Sequence, residues 1–115
     1  MKGVGFTMLF GDKFSKIENW GKKSKVEKLK KFADNRDPKI RQAVARALGD
    51  SKGDEAFNLL VLLLRDPDAT VRQAAVESFG YLGEKRAIEH LRHLIGRESD
   101  DAVKKAIEQT IKKLS

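Results

Sequence analysis

Residues 66–83 read DPDATVRQAAVESFGYLG, and this stretch decides the fold. It holds the start, body and stop of one helix. Asp68 stands just before the apolar run, where an N-cap belongs. Val71, Ala74, Ala75 and Phe79 recur at i, i+3, i+4 and i+8, which is one stripe of an α-helix. Gly83 stands where a helix ends. Nearly the same text occurs upstream as DPKIRQAVARALG, residues 37–49. There Pro38 follows Asp37 at the first helical position, which tolerates its missing N–H.

Aligning Ile40 with Val71 brings Val103 into line, at offsets of 31 residues (40 to 71) and 32 residues (71 to 103). Ala43, Ala74 and Ala106 then coincide, as do Leu48, Phe79 and Ile111. Asp37, Asp68 and Asp100 precede the three stripes. The register also continues upstream: Val26, Leu29 and Phe32 match Phe57, Leu60 and Leu63, then Ile88, Leu91 and Leu94. Each unit is therefore helix, tight turn, helix, with units at about 22–50, 53–82 and 84–115. One helix pair cannot cover its own apolar face, whereas stacked pairs bury a continuous core.

The pattern D-P-x-x-x-V-R-x-A-A, followed by a small-residue helix closing on Leu-Gly, resembles HEAT-like repeats. The short type found in phycobilin lyases and many small bacterial and archaeal proteins is the nearest. The resemblance covers residues 22–115 and implies an all-α solenoid of about three HEAT-like helix pairs. Such repeats serve as scaffolds for many functions. Glu108 and Lys112 stand where earlier units have small or apolar residues, as a polar terminal cap requires. Residues 1–21 lie outside the repeat, yet Phe6, Leu9, Phe10, Phe14, Ile17 and Trp20 give much of an apolar stripe. They are expected to form an N-terminal capping segment. The resemblance of MLFGDKFSKIENW to the start of small proteins of this type makes Met8 an alternative start to Met1.

Composition bounds the chemistry. The chain of 115 residues has no Cys and a net charge of +7. Disulfides, thiol nucleophiles and cysteine-based zinc sites are excluded. The longest apolar run, Leu59–Leu64, is far short of the ~20 residues of a membrane span, and the N-terminus does not read as a signal peptide. A cytoplasmic protein is expected. Residues 1–36 carry ten Lys/Arg against four Asp/Glu, so the basic excess is N-terminal.

No catalytic constellation emerges, and no cofactor is expected. His90 and His93, at i, i+3, align with positions outside the core stripe and have no third ligand in view. The His-Glu pairs of deoxyhypusine hydroxylase, a HEAT-like metal enzyme, are matched only by a reversed Glu89-His90. The carboxylate pairs Asp54/Glu55 and Asp100/Asp101 fall at helix starts, where the dipole favours them.

Three candidate surfaces remain. Arg41, Arg72 and Lys104 recur once per unit, with Asn35, Asp66 and Glu98 six residues earlier. In the resembled family the equivalent Arg bonds an acid or amide of the preceding turn, which implies a structural ladder of Arg41, Arg72 and Asp66. An inner face is expected on the second helices, with Ala45, Arg46, Gln73, Val76 and Glu77 facing it. The first helix of unit two carries Leu59, Val61 and Leu62 where unit one has Lys28, Lys30 and Lys31. Neighbours in the stack can cover part of that excess, and the rest reads as a contact surface for the N-terminal segment, a second copy or a protein partner. The lysine run 22–31, with Lys22, Lys23, Lys30 and Lys31 solvent-facing, is the candidate for phosphate contact. The expected function is a non-catalytic protein-interaction scaffold. Nucleic-acid binding through the lysine face is the alternative. A bilin lyase-like, tetrapyrrole-handling role is implied only by the family resemblance.

Overall fold

The computed structural model describes residues 12–115, and every regular element among them is a helix. These are α1 (Asp12–Lys22), α2 (Val26–Lys30), α3 (Pro38–Leu48), α4 (Asp54–Leu63), α5 (Ala69–Leu82), α6 (Ala87–Ile95) and α7 (Asp101–Leu114). The pairs α2/α3, α4/α5 and α6/α7 repeat along a stack measuring 47 × 27 × 22 Å. The all-α solenoid matches the expectation from sequence.

The second helices form the closely packed row: α3 lies on α5 and α5 on α7. Helix α1 packs on the other side of α3, as a further member of that row. The first helices α2 and α4 touch only loosely. The core follows the stripes that define the repeat. Ile40, Val44 and Leu48, then Val71, Ala75 and Phe79, then Val103 and Ile107 are all buried.

Each second helix begins on a carboxylate cap. Asp37 accepts from the Lys39 N–H at 2.9 Å, Asp68 from Thr70 at 2.8 Å and Asp100 from Val103 at 3.0 Å. Each cap satisfies a donor the helix leaves orphaned and meets the positive end of its dipole. Gly83 ends α5 in the left-handed conformation, φ +65°. Gly49 serves a different purpose. Its φ is −65°, open to any residue, but a Cβ there would come 2.9 Å from Ser78 Oγ. Ser78 needs that space because its hydroxyl donates to the Ala45 carbonyl at 2.6 Å. Gly21 does the same between α1 and α3. A Cβ on it would overlap the Ala47 carbonyl and lie 2.8 Å from the Ala47 Cβ, while Ser51 Oγ donates to the Gly21 carbonyl at 3.0 Å.

Helix α2 is shorter than the periodicity predicts. Phe32 was expected on its stripe, but the helix ends at Lys30. Ser24 enters it with φ +54°, and Lys25 offers no side-chain cap. Lys25, Lys28 and Lys31 then repel one another at i, i+3 spacing. The chain leaves through tight turns, Phe32 N–H to Leu29 O at 2.9 Å and Ala33 N–H to Lys30 O at 3.2 Å. Phe32 stacks on Trp20 instead, centroids 5.7 Å apart. Of the N-terminal stripe, Ile17 is buried, Trp20 half-buried and Phe14 exposed. Phe6, Met8, Leu9 and Phe10 lie outside the described residues.

The close approach at Gly21 is checked by urea unfolding. Gly21→Ala is expected to cost about 2 kcal/mol through overpacking against Ala47 backbone. Gly96→Ala, whose new Cβ would meet nothing nearer than 3.5 Å, is expected to stay within about 0.5 kcal/mol of the parent.

Candidate functional site

Helices α2 and α4 hold equivalent places in successive units, and a groove of about 660 Å³ opens between them. Val26, Leu59 and Leu62 give it an apolar floor. Glu27, Glu55 and Asn58 line one part, Lys30 and Lys31 another. Side-chain size is one difference between this joint and the next. Val26 occupies the position held by Phe57 in the next unit. At the α4/α6 joint, the Phe57 ring is packed by Phe79 at 5.4 Å and His90 at 5.8 Å, and the Arg86 guanidinium lies 4.1 Å above it. At the α2/α4 joint the smaller Val26 stands in that position and lines the groove.

The three apolar residues singled out on α4 have different fates. Leu59 is 6% exposed and belongs to the core, contrary to its expected place on a free surface. Val61 is half-buried. Leu62 is 64% exposed. The reason is angular: Leu59 points along the joint with α2, whereas Leu62 lies one turn on, at the groove mouth.

The lysines divide as well. Lys30 and Lys31 line the groove, and their side chains form no hydrogen bond or ion pair among the described residues. Lys22 closes α1 and faces Glu18 at 3.8 Å, and Lys23 follows it in the turn. Neither lines the groove. Sequence reasoning missed Val26, Glu27 and Glu55 because the groove forms between units. The visible signals were a valine aligned with a phenylalanine and one glutamate within a lysine run.

On the second-helix row, Ala45 and Val76 are fully buried between stacked helices, so they do not face a partner as expected. Arg46 is exposed and lines a depression of about 270 Å³ with Phe14, Glu18 and Asp50. Gln73 donates to Glu77 at 3.1 Å within α5. Tyr81 is 73% exposed with the Lys113 ammonium 5.2 Å from its ring centre, a feature the periodicity gave no reason to single out. His90 packs its edge on Phe57, and no group of three His, Asp or Glu among the described residues is placed to hold a metal. No helix among them is long and apolar enough to cross a membrane.

Arg41 and Arg72 make an inter-unit ladder with matching geometry. Arg41 donates from Nε and Nη2 to Asp66 at 2.8 and 3.0 Å, and from Nη1 to the Asn35 carbonyl at 2.7 Å. Arg72 donates from Nε and Nη2 to Glu98, both at 2.9 Å, and from Nη1 to the Asp66 carbonyl at 2.7 Å. The residue six positions back thus contributes its carbonyl, and the carboxylate comes from the next unit. The Asn35 side chain accepts from the Asp37 N–H instead, at 2.9 Å. Asp66 and Glu98 accept the equivalent N–H of Asp68 and Asp100. The Lys104 side chain makes no such bond.

The hydrogen bond that Arg41 donates to Asp66 raises its pKa further above the ordinary value, and the one that Arg72 donates to Glu98 does the same for Arg72. Burial pushes the Glu98 carboxyl up, but the Arg72 hydrogen bonds and charge and the Asp100 N–H outweigh it. Its pKa lies below the ordinary glutamate value.

The comparisons with known proteins agree with this geometry. The family model for HEAT repeats matches residues 17–112. The chain belongs to the HEAT repeat family. The match begins inside α1, in keeping with the place of that helix in the second-helix row. The chain is similar to Protein HEATR9 of Homo sapiens, 39% identical over 75 residues, and to Protein HEATR9 of Macaca fascicularis at the same identity and length. The aligned region covers 63% of this chain and 13% of each relative, so the chain matches only a small part of their length.

Two outcomes check the ladder. Arg72→Ala is expected to lower unfolding stability by about 3 kcal/mol, because it leaves Glu98, with 1% of its side chain exposed, uncompensated. The depressed Glu98 pKa fixes a sign. Its stabilisation is complete above the ordinary glutamate range and is lost as pH falls through the lower folded-state value. Urea midpoints across an acid pH series should fall in that window for the parent and fall less for Glu98→Gln.

Proposed function

We propose that this solenoid is a non-catalytic protein-binding scaffold that engages its partner through the α2–α4 groove, with Leu62 as the apolar anchor. The carrying observation is the exposure of Leu62 beside an unfilled groove, where the aligned positions of the other units hold Lys31 and His93. A leucine gains by leaving water, at about 25 cal/mol per Å² of apolar surface covered. Nothing in the helix pair requires a leucine there, since lysine and histidine fill the equivalent place.

The ladder does not compete for this role, because its arginines already spend their donors on turn carbonyls and carboxylates. A nucleic-acid reading is less well supported. Glu27 and Glu55 line the same groove and repel phosphate. Trp20 and Phe32 stack on each other, so they offer no free platform for bases.

Leu62→Lys tests the reading. The variant should keep the parent's unfolding midpoint, since the side chain is mostly in water. Affinity capture from extracts of the source cells, quantified for parent, Leu62→Lys and Arg46→Glu, should show a partner depleted about tenfold or more only with Leu62→Lys. Equal recovery with all three would overturn the assignment.

A further inference from the structure

The groove between α2 and α4 is polarised along its length, and this bears on what it holds. The two helices occupy equivalent positions in successive units and therefore run in the same direction. Glu27 and Glu55 lie in their first turns. Lys30 closes α2, Lys31 caps it, and Leu62 lies in the last turn of α4. One end of the groove is acidic and the other basic, with Leu59 between them and Val26 on the floor beside Glu27. None of these four charges is paired within the described chain.

We propose, on the reading that this groove is the docking surface, that it receives an amphipathic helix of a partner protein lying antiparallel to α2 and α4. The acidic first turn of that helix meets Lys30 and Lys31, its basic last turn meets Glu27 and Glu55, and its apolar stripe covers Leu62 and the groove floor. One observation and two electrostatic arguments select this occupant. The apolar floor with charges at both ends matches a helix carrying one apolar stripe and charged termini. A helix with acids in its first turn and bases in its last is favoured by its own dipole, so the complementary pattern is one a partner segment holds readily. Antiparallel packing also sets its dipole against those of α2 and α4. A second copy fits less well, because each chain carries +7 and the run 22–31, which supplies Lys30 and Lys31 to the groove, holds six lysines against one glutamate. Helix α4, ten residues long, spans roughly 15 Å, so about three turns of partner helix suffice.

The test uses fluorescein-labelled synthetic peptides of about sixteen residues sharing one leucine stripe. One has glutamates first and lysines last, one has the order reversed, and one has serines in place of the leucines. Binding to the intact protein is followed by anisotropy at low and near-physiological salt. The glutamate-first peptide should bind about tenfold or more tighter than the reversed one. The serine peptide should not bind, and Leu62→Lys should abolish binding of both leucine peptides. Lys30→Glu with Lys31→Glu should remove or invert the preference; these side chains are exposed, and circular dichroism confirms that the variant is folded.

Equal binding of the two leucine peptides, lost in Leu62→Lys, would overturn the polarity while leaving the groove as the docking surface. Binding of neither, or binding indifferent to Leu62, would overturn both. Sedimentation of the protein alone provides one more outcome: a dimer that dissociates in Leu62→Lys would put a second copy in the groove and overturn the partner helix. Duplex DNA that binds through Lys30 and Lys31 where the peptides do not would overturn it equally.

Discussion

The repeat geometry depends on the arginine ladder. Each guanidinium reaches back to the carbonyl of its own turn and forward to the carboxylate of the next, so one rigid fork sets the distance between successive units. Asp66 belongs to both rungs, its carboxylate to Arg41 and its carbonyl to Arg72. The same carboxylate accepts the N–H of Asp68, the residue that caps α5. Cap, turn and neighbouring unit are thereby fixed together. Charge pairs this buried add little net stability over an apolar replacement, because desolvation offsets most of the attraction. Their contribution is to register: a helix pair that slid along its neighbour would strand a buried carboxylate.

With spacing set at the turns, the two helix rows divide their roles. The second helices approach closely enough that glycine and serine are needed at the crossings, as at Gly21 against Ala47 and Gly49 against Ser78. The first helices stand further apart, and the gap between them is closed only by side chains. Phe57 closes one such gap. Val26, in the aligned position, leaves the other open. Two joints with one backbone plan thus differ in how they are filled.

The architecture was legible because periodicity records burial. Ile40, Val71 and Val103 lie at one register and are all buried, and the aspartates before each stripe are caps in fact. Relations between units were harder to read. The arginine acceptors were sought six residues upstream, where only the carbonyl serves; the carboxylates lie 25 and 26 residues downstream. Leu59 and Leu62 looked alike as departures from the repeat, yet one lies in the joint and the other outside it. Ala45 and Val76 looked like facing positions, but each is buried between stacked second helices, while Arg46 beside Ala45 is exposed. In each case a one-dimensional register names the helix face and leaves open how near the next helix stands.

The open joint is also where the local helix is weakest. Helix α2 is five residues long, has no side-chain cap and follows a residue at positive φ. Nucleating so short a helix is unfavourable in isolation, so it is held by Val26 and Leu29 in the core rather than by its own propensity. This wall of the groove is thus anchored twice: by Val26 and Leu29 in the core, and through the turn after Lys31 by the Asn35 carbonyl, which accepts from Arg41 of the ladder.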